Sequence, residues 1–199
     1  GEQLKEQGRK VTPTLIKYAE RNKYLVDTRQ AQRAEAIPLT PPIASKADAT
    51  LVHYDPDAEL KVASAFLYRY AHQPYEQIWE RVTSMSSSER RAVIHQALSR
   101  LDSHDSPIRE TELPYYTFDI VLDYGAFREF KRHRMQTYIP QPLTLELDYV
   151  VPPLIEDAGL RGLFEQAMSV AKDGYSTLAL DMPIVASYLV THAHRRRVL

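Results

Sequence analysis

Between Phe127 and Arg134 the chain reads Phe-Arg-Glu-Phe-Lys-Arg-His-Arg, which puts four cations and a histidine into the seven residues from Arg128 to Arg134. Guanidinium forks match phosphate bidentately, and a neighbouring imidazole can donate to a phosphate or to a ring oxygen, so one reading of the cluster is an anion clamp. The other is a helix C-terminus whose last turn gathers cations against the helix dipole and leaves them in solvent. A second constellation is His192-Ala193-His194-Arg195-Arg196-Arg197. His-x-His spacing on a strand aims both rings to one side, as in some metal sites. No third ligand can be named, because Asp181 is the only carboxylate in the last 25 residues. No metal is therefore assigned, and the segment reads as a basic helix start or an anion contact at a subunit interface. Nucleic acid is disfavoured, since aromatic residues do not interleave the cations. Tyr115, Tyr116, Tyr124, Tyr138 and Tyr149 surround the first cluster in sequence and are read as partly buried core with wet hydroxyls. Asp119 and Asp123 are assigned to a solvated strand face in preference to acid/base work.

The elements that must position these residues follow from periodicity. Leu51 to Tyr54 reads as a short strand, and Asp55-Pro56 as an N-cap with proline at the first helical position. Leu60, Ala63, Phe66, Leu67 and Tyr70 make one apolar stripe of a helix. Pro74 opens a second helix with Tyr75, Ile78, Trp79 and Val82 on one face. Ser86 with Glu89 forms a capping box for a third, whose face is Ile94, Ala97, Leu98 and Leu101. The period then changes to two: Tyr116, Phe118, Ile120 and Leu122 form the apolar side of a strand. Asp123 caps a helix from Tyr124 to about Arg134, with Arg132-His133-Arg134 at its end. A second alternating run spans Leu143 to Val151, and Pro152-Pro153 ends it. Leu160, Leu163, Phe164, Ala167 and Ala171 mark a long helix that Gly174 closes, and Val185 to His192 is expected as the last strand.

Composition bounds the rest. The chain has 199 residues, of which 44% are hydrophobic, enough for one domain with a core. Lys plus Arg (25) nearly cancels Asp plus Glu (26), so any basic site is local. Zero cysteine excludes disulfides, thiolate nucleophiles and Cys-ligated zinc. No run approaches the roughly 18 apolar residues that span a bilayer, and the N-terminus lacks the apolar core of a signal peptide. A cytoplasmic protein is expected. Residues 1–49, with Pro38, Pro41 and Pro42, read as an N-terminal arm or linker ahead of a domain at 50–199. The expected fold class is mixed α/β (α+β), a central and mostly antiparallel sheet flanked by helices.

These residues resemble a known family, the flavin-dependent (alternative) thymidylate synthases, whose fold is that of the thymidylate synthase-complementing proteins. The family's hallmark is an Arg-His-Arg triplet at the end of a helix following a core strand, and Arg132-His133-Arg134 has that context. Its upstream Gly-His-x-Ser-x-Leu-Glu-His segment resembles Ser103-His104-Asp105-Ser106-Pro107-Ile108-Arg109-Glu110, which leads into Tyr116-Thr117-Phe118. Asp55-Pro56 after the opening strand and Met182-Pro183-Ile184 before the final one also fall in the family's order. The resemblance covers about Val52 to Leu199.

The resemblance implies an enzyme that methylates dUMP to dTMP, with methylenetetrahydrofolate as carbon donor and NADPH reducing bound FAD. It implies that Arg132, His133 and Arg134 bind the cofactor, that Arg128 and Glu129 lie at the substrate, and that active sites are shared between subunits of a homotetramer. It names no catalytic residue here. The sequence departs from the pattern at several positions. Pro142 stands where the family has a dUMP-holding Ser, and Tyr138-Ile139-Pro140-Gln141 replaces a loop carrying Asn-Glu. Arg109-Glu110 replaces Glu-His, Glu129 a Gln, and the Arg expected in the last strand falls at Leu189. The chain also stops where the family continues into helices bearing another nucleotide-binding Arg, so the domain is expected to be incomplete at its C-terminus. The alternatives are a non-catalytic flavin- or nucleotide-binding or structural domain of the same fold, as half of a duplicated protein, and a nucleic-acid-binding module.

Overall fold

The computed structural model describes residues 2–19, 22–36 and 48–199, and the chain divides into two units at residues 42/43. The first unit contains α1 (Glu2–Val11), α2 (Pro13–Lys17) and α3 (Lys23–Glu35), none of which buries a residue. A Cβ on Gly8 would come within 2.8 Å of Ile16 Cδ1, so glycine is what lets α2 fold back on α1. Asn22 caps α3 by accepting the Leu25 N–H at 3.1 Å. Pro38, Pro41 and Pro42 lie outside the described residues.

The second unit has the expected class: helices flank a three-stranded antiparallel sheet in the order β1 (Asp48–Tyr54), β2 (Tyr116–Asp123), β3 (Arg195–Val198). A helical layer follows β1: α4 (Ala58–Ala71), α5 (Tyr75–Ser84) and α6 (Ser87–Leu98). Ala63, Ile78 and Val82 form its centre, with Leu60, Leu67, Val93 and Ile94 packed around them. The Ser86–Glu89 capping box is complete in both directions. Tyr70 is exposed, so the α4 stripe ends a turn earlier than its spacing suggests. Asp55 does not cap α4. Its buried carboxylate accepts the Asp57 N–H at 3.1 Å and pairs with Lys61, and the helix starts beyond Asp57.

Several further expectations are corrected. In β2 the buried residue is Val121, whereas Tyr116 and Phe118 on the other face are exposed. Residues 143–151 form no strand. The chain turns at Leu145–Asp148, Asp148 takes a left-handed φ of 61°, and Tyr149 makes only an isolated bridge to His194. After the short α8 (Pro153–Asp157), helix α9 (Arg161–Ala179) runs straight through Gly174. That glycine serves close packing, since a Cβ there would sit 3.0 Å from Leu189 Cδ1. The segment expected as the last strand is instead α10 (Pro183–Ala186) and a 3-10 turn, Ser187–Leu189, because Pro183 initiates a helical turn. The last strand is the basic run Arg195–Val198. Among the described residues, no helix is long and apolar enough to cross a membrane.

Candidate functional site

Helix α7 (Tyr124–Phe130) springs directly from β2, capped by Asp123, whose Oδ1 accepts the Ala126 N–H at 2.7 Å. It stops at Phe130, so Arg132-His133-Arg134 occupies the turn after the helix and not its last turn. An aromatic platform holds that turn. The Tyr138 ring meets Phe130 and Phe127 edge-on, at centroid distances of 5.2 and 6.4 Å. Its hydroxyl lies 2.9 Å from the Phe130 carbonyl and 3.0 Å from that of His133, donating to one of them at a time. The chain then runs along β3: Ile139 and Leu199 exchange backbone bonds, and Gln141 N–H donates to the Arg197 carbonyl at 3.0 Å. The triplet turn is thereby tied to both α7 and the last strand.

The structure brings all five expected residues to this one place. Arg128, Glu129, Arg132, His133 and Arg134 are exposed. Glu129 pairs with Arg132 at 3.0 Å, and Arg128 Nη1 donates to His192 Nε2 at 2.9 Å. His192 and His194 therefore serve separate partners, because His194 is buried against Thr191.

The sequence reading grouped Arg196 with its neighbours as a separate basic run and did not join it to the triplet. On β3, Arg195 and Arg197 face acids, Asp148 at 3.8 Å and Asp119 at 3.5 Å. Arg196 points the other way, with its guanidinium 4.3 Å above the Phe127 ring and 5.5 Å from that of Tyr124. It is 9% exposed, and among the described residues its guanidinium hydrogen-bonds only the Gln141 carbonyl, at 2.7 Å, while its buried Nε meets no acceptor. Among the described residues no carboxylate pairs with it. Burial pulls the guanidinium below its ordinary pKa, partly countered by Tyr124. A buried cation without a counter-charge is costly. The Leu122↔Arg196 register sets it beside α7. Leu189, taken above as the position of a missing strand arginine, lies in the 3-10 turn before the strand, and the strand itself carries three arginines.

The upstream segment is elsewhere. Ser103 to Arg109 is exposed loop, and Glu110 is buried and paired with Arg69 of α4, which holds its carboxyl below the usual glutamate range. Tyr68, Tyr75, Arg69, Arg109 and Glu110 line a mostly apolar hollow of about 680 Å³ that no triplet residue reaches. Of the tyrosines, Tyr124 and Tyr138 belong to the basic site and Tyr149 packs on His194 and Phe164, whereas Tyr115 and Tyr116 are exposed and form no core. Among the described residues no group of three metal-ligating side chains converges.

Comparison with known proteins places the chain in a family. Residues 50–198 match the family model described as thymidylate synthase complementing protein. A UPF0159 protein of Chlamydia muridarum (strain MoPn / Nigg) is 31% identical over 151 residues, covering 75% of this chain and 28% of that protein. One of Chlamydia pneumoniae is 28% identical over 166 residues, covering 82% and 31%. One of Thermoplasma acidophilum is 28% identical over 156 residues, covering 75% and 31%. The chain thus spans about a third of the length of the curated relatives it matches.

Proposed function

The chain belongs to the thymidylate synthase complementing protein family, and from that premise we propose that its α7–β3 cluster holds the phosphates of FAD and dUMP for the reductive methylation of dUMP to dTMP. Methylenetetrahydrofolate is the carbon donor and NADPH the reductant. The observation that carries this reading is Arg196, a buried guanidinium without a carboxylate beside a turn bearing Arg132 and Arg134. The donor set suits a diphosphate: a buried, aromatic-backed guanidinium, the exposed cations of the triplet turn, Glu129 held by Arg132, and Asp123 engaged in capping α7.

When bound, the flavin supplies the hydride chemistry. The protein's part is binding and orientation. Arg132, His133 and Arg134 grip the cofactor's phosphates, the Tyr138 hydroxyl keeps their turn in place, and Arg196 neutralises charge that enters the aromatic niche. Arg128, held by His192, and Glu129 face the nucleotide. The oligomer is a multimer with shared sites, since one chain supplies cations to one end of each ligand. A purified chain that carries FAD absorbs near about 450 nm. Tritium release from 5-tritiated dUMP, with FAD, NADPH and methylenetetrahydrofolate present, then tests turnover, and a colourless protein that takes up neither FAD nor dUMP ends the reading.

Pro142 favours a second reading, a flavin- or nucleotide-binding domain without turnover of its own. Proline has no N–H to give a phosphate where the resemblance expects a serine. Release of tritium by a longer chain that includes this domain, with FAD binding but no release by the 199 residues alone, would select it.

A further inference from the structure

On α9, Glu165, Met168, Ser169, Lys172, Tyr175 and Ser176 recur three and four residues apart and so share one face. A helix face turned toward protein is ordinarily its apolar one. On α9 that face carries Phe164, Met168, Ala171 and Leu178, and along its edge the exposed Glu165, Ser169, Lys172 and Ser176 line a cavity of about 430 Å³.

The opposite wall carries Glu146, Asp148, Tyr149 and His194. His194 is only 2% exposed. Its Nδ1 accepts the Thr191 backbone N–H at 3.2 Å, with the Thr191 hydroxyl 2.9 Å away, which leaves the ring proton on Nε2. Among the described residues Nε2–H has no partner. The charges are equally uneven. Arg161 takes Glu165 at 2.8 Å and Arg195 faces Asp148 at 3.8 Å, while the exposed Lys172 and Glu146 line the same cavity with no ion-pair partner among the described residues. An anion would meet Glu146 and Asp148, and a cation would meet Lys172. A molecule with one charge of each sign satisfies both sides.

We propose that this cavity binds a small zwitterion of the α-amino-acid type, its carboxylate on Lys172 and the His194 Nε2–H, its ammonium on Glu146, and its side chain against Tyr149 and Met168. The volume lies in the lower part of the roughly 300–1,000 Å³ typical of small-molecule sites. No residue of the triplet turn or Arg196 lines it, so the inference stands apart from the flavin reading.

Calorimetry on the full chain, without flavin or nucleotide, tests it with three probes that differ by one charge: L-phenylalanine, phenethylamine and 3-phenylpropanoate. L-phenylalanine is expected to bind at least about tenfold more tightly than either analogue, because each analogue forfeits one charge-assisted contact. Lys172→Met, at an exposed position, should lower it to the level of phenethylamine, and Glu146→Gln to that of 3-phenylpropanoate. His194→Gln should weaken it too, with the thermal midpoint recorded to separate a lost donor from a lost fold. No heat from L-phenylalanine at about 10 mM, equal affinity for all three probes, or affinity unmoved by Lys172→Met would overturn the proposal.

Discussion

The helical layer α4–α6 and the α7–β3 region treat charge in opposite ways. In the first, acids with cations beside them are closed into pairs: Asp55 with Lys61, Glu59 with Arg90, Glu110 with Arg69. Its centre is apolar, built on Ala63, Ile78 and Val82. In the second, Arg196 is buried with two aromatic rings and one carbonyl for company, and Arg128 rests on His192. The contrast teaches that the first region spends its polar groups on its own stability. The second leaves a buried guanidinium without a carboxylate partner among the described residues, which the proposed function assigns to a ligand.

Substitutions should separate the two regions. The largest effect belongs to the helical core: Ile78→Ala should cost about 2–5 kcal/mol of stability by urea unfolding and leave FAD affinity unchanged wherever the variant is folded. Arg196→Met should do the reverse. Replacing an unpaired buried cation with an apolar side chain is neutral or stabilising without ligand, whereas FAD binding should weaken by about 1.5–3 kcal/mol, the worth of a charge-assisted bond. A drop in stability with unchanged affinity would make Arg196 part of the scaffold and erase the contrast. Tyr138→Phe should be milder, about 1 kcal/mol in FAD affinity, because the hydroxyl acts through the triplet turn; chemical shifts at His133 should move with it.

The smallest effect is confined to acid pH. Arg69 hydrogen-bonded to Glu110 holds its folded pKa below the ordinary value of 4.5. The stability from that pair is complete above 4.5 and lost as pH falls through the lower folded value. Asp55 acts with the same sign through Lys61. Glu110→Gln should flatten only its own part of the acid limb, and an unchanged acid profile would show that the pair is not formed in solution.

Much of the second unit was legible because its signals are local. The Ser86–Glu89 box, the Asp123 cap and the Tyr116–Asp123 strand each depend on residues within a few positions. What failed depends on distant partners. The run Leu143–Val151 alternates like a strand, yet β3 offers it only the Tyr149 bridge, and the turn at Leu145–Asp148 breaks the period. Arg195–Val198 reads as a polar tail until its register with β2 shows that Arg195 and Arg197 meet acids across one face and Arg196 meets rings across the other. Gly174 carries no sign of being a packing glycine rather than a helix stop, since Leu189 comes from fifteen residues on. The site was read in the same proportion. The contiguous triplet was visible, and Arg196 was visible only within a separate basic run, because its place beside Gln141 and Phe127 depends on the strand register.

The central claim is that the α7–β3 cations are held for the phosphates of a bound ligand. Titration calorimetry of FAD into the full chain, comparing the unaltered protein with Arg132→Ala, tests it most directly. Arg132 is exposed and, among the described residues, paired only with exposed Glu129, so its loss should leave the thermal midpoint where it was. FAD affinity should fall by about ten- to a hundredfold, and the same affinity in both proteins would contradict the account.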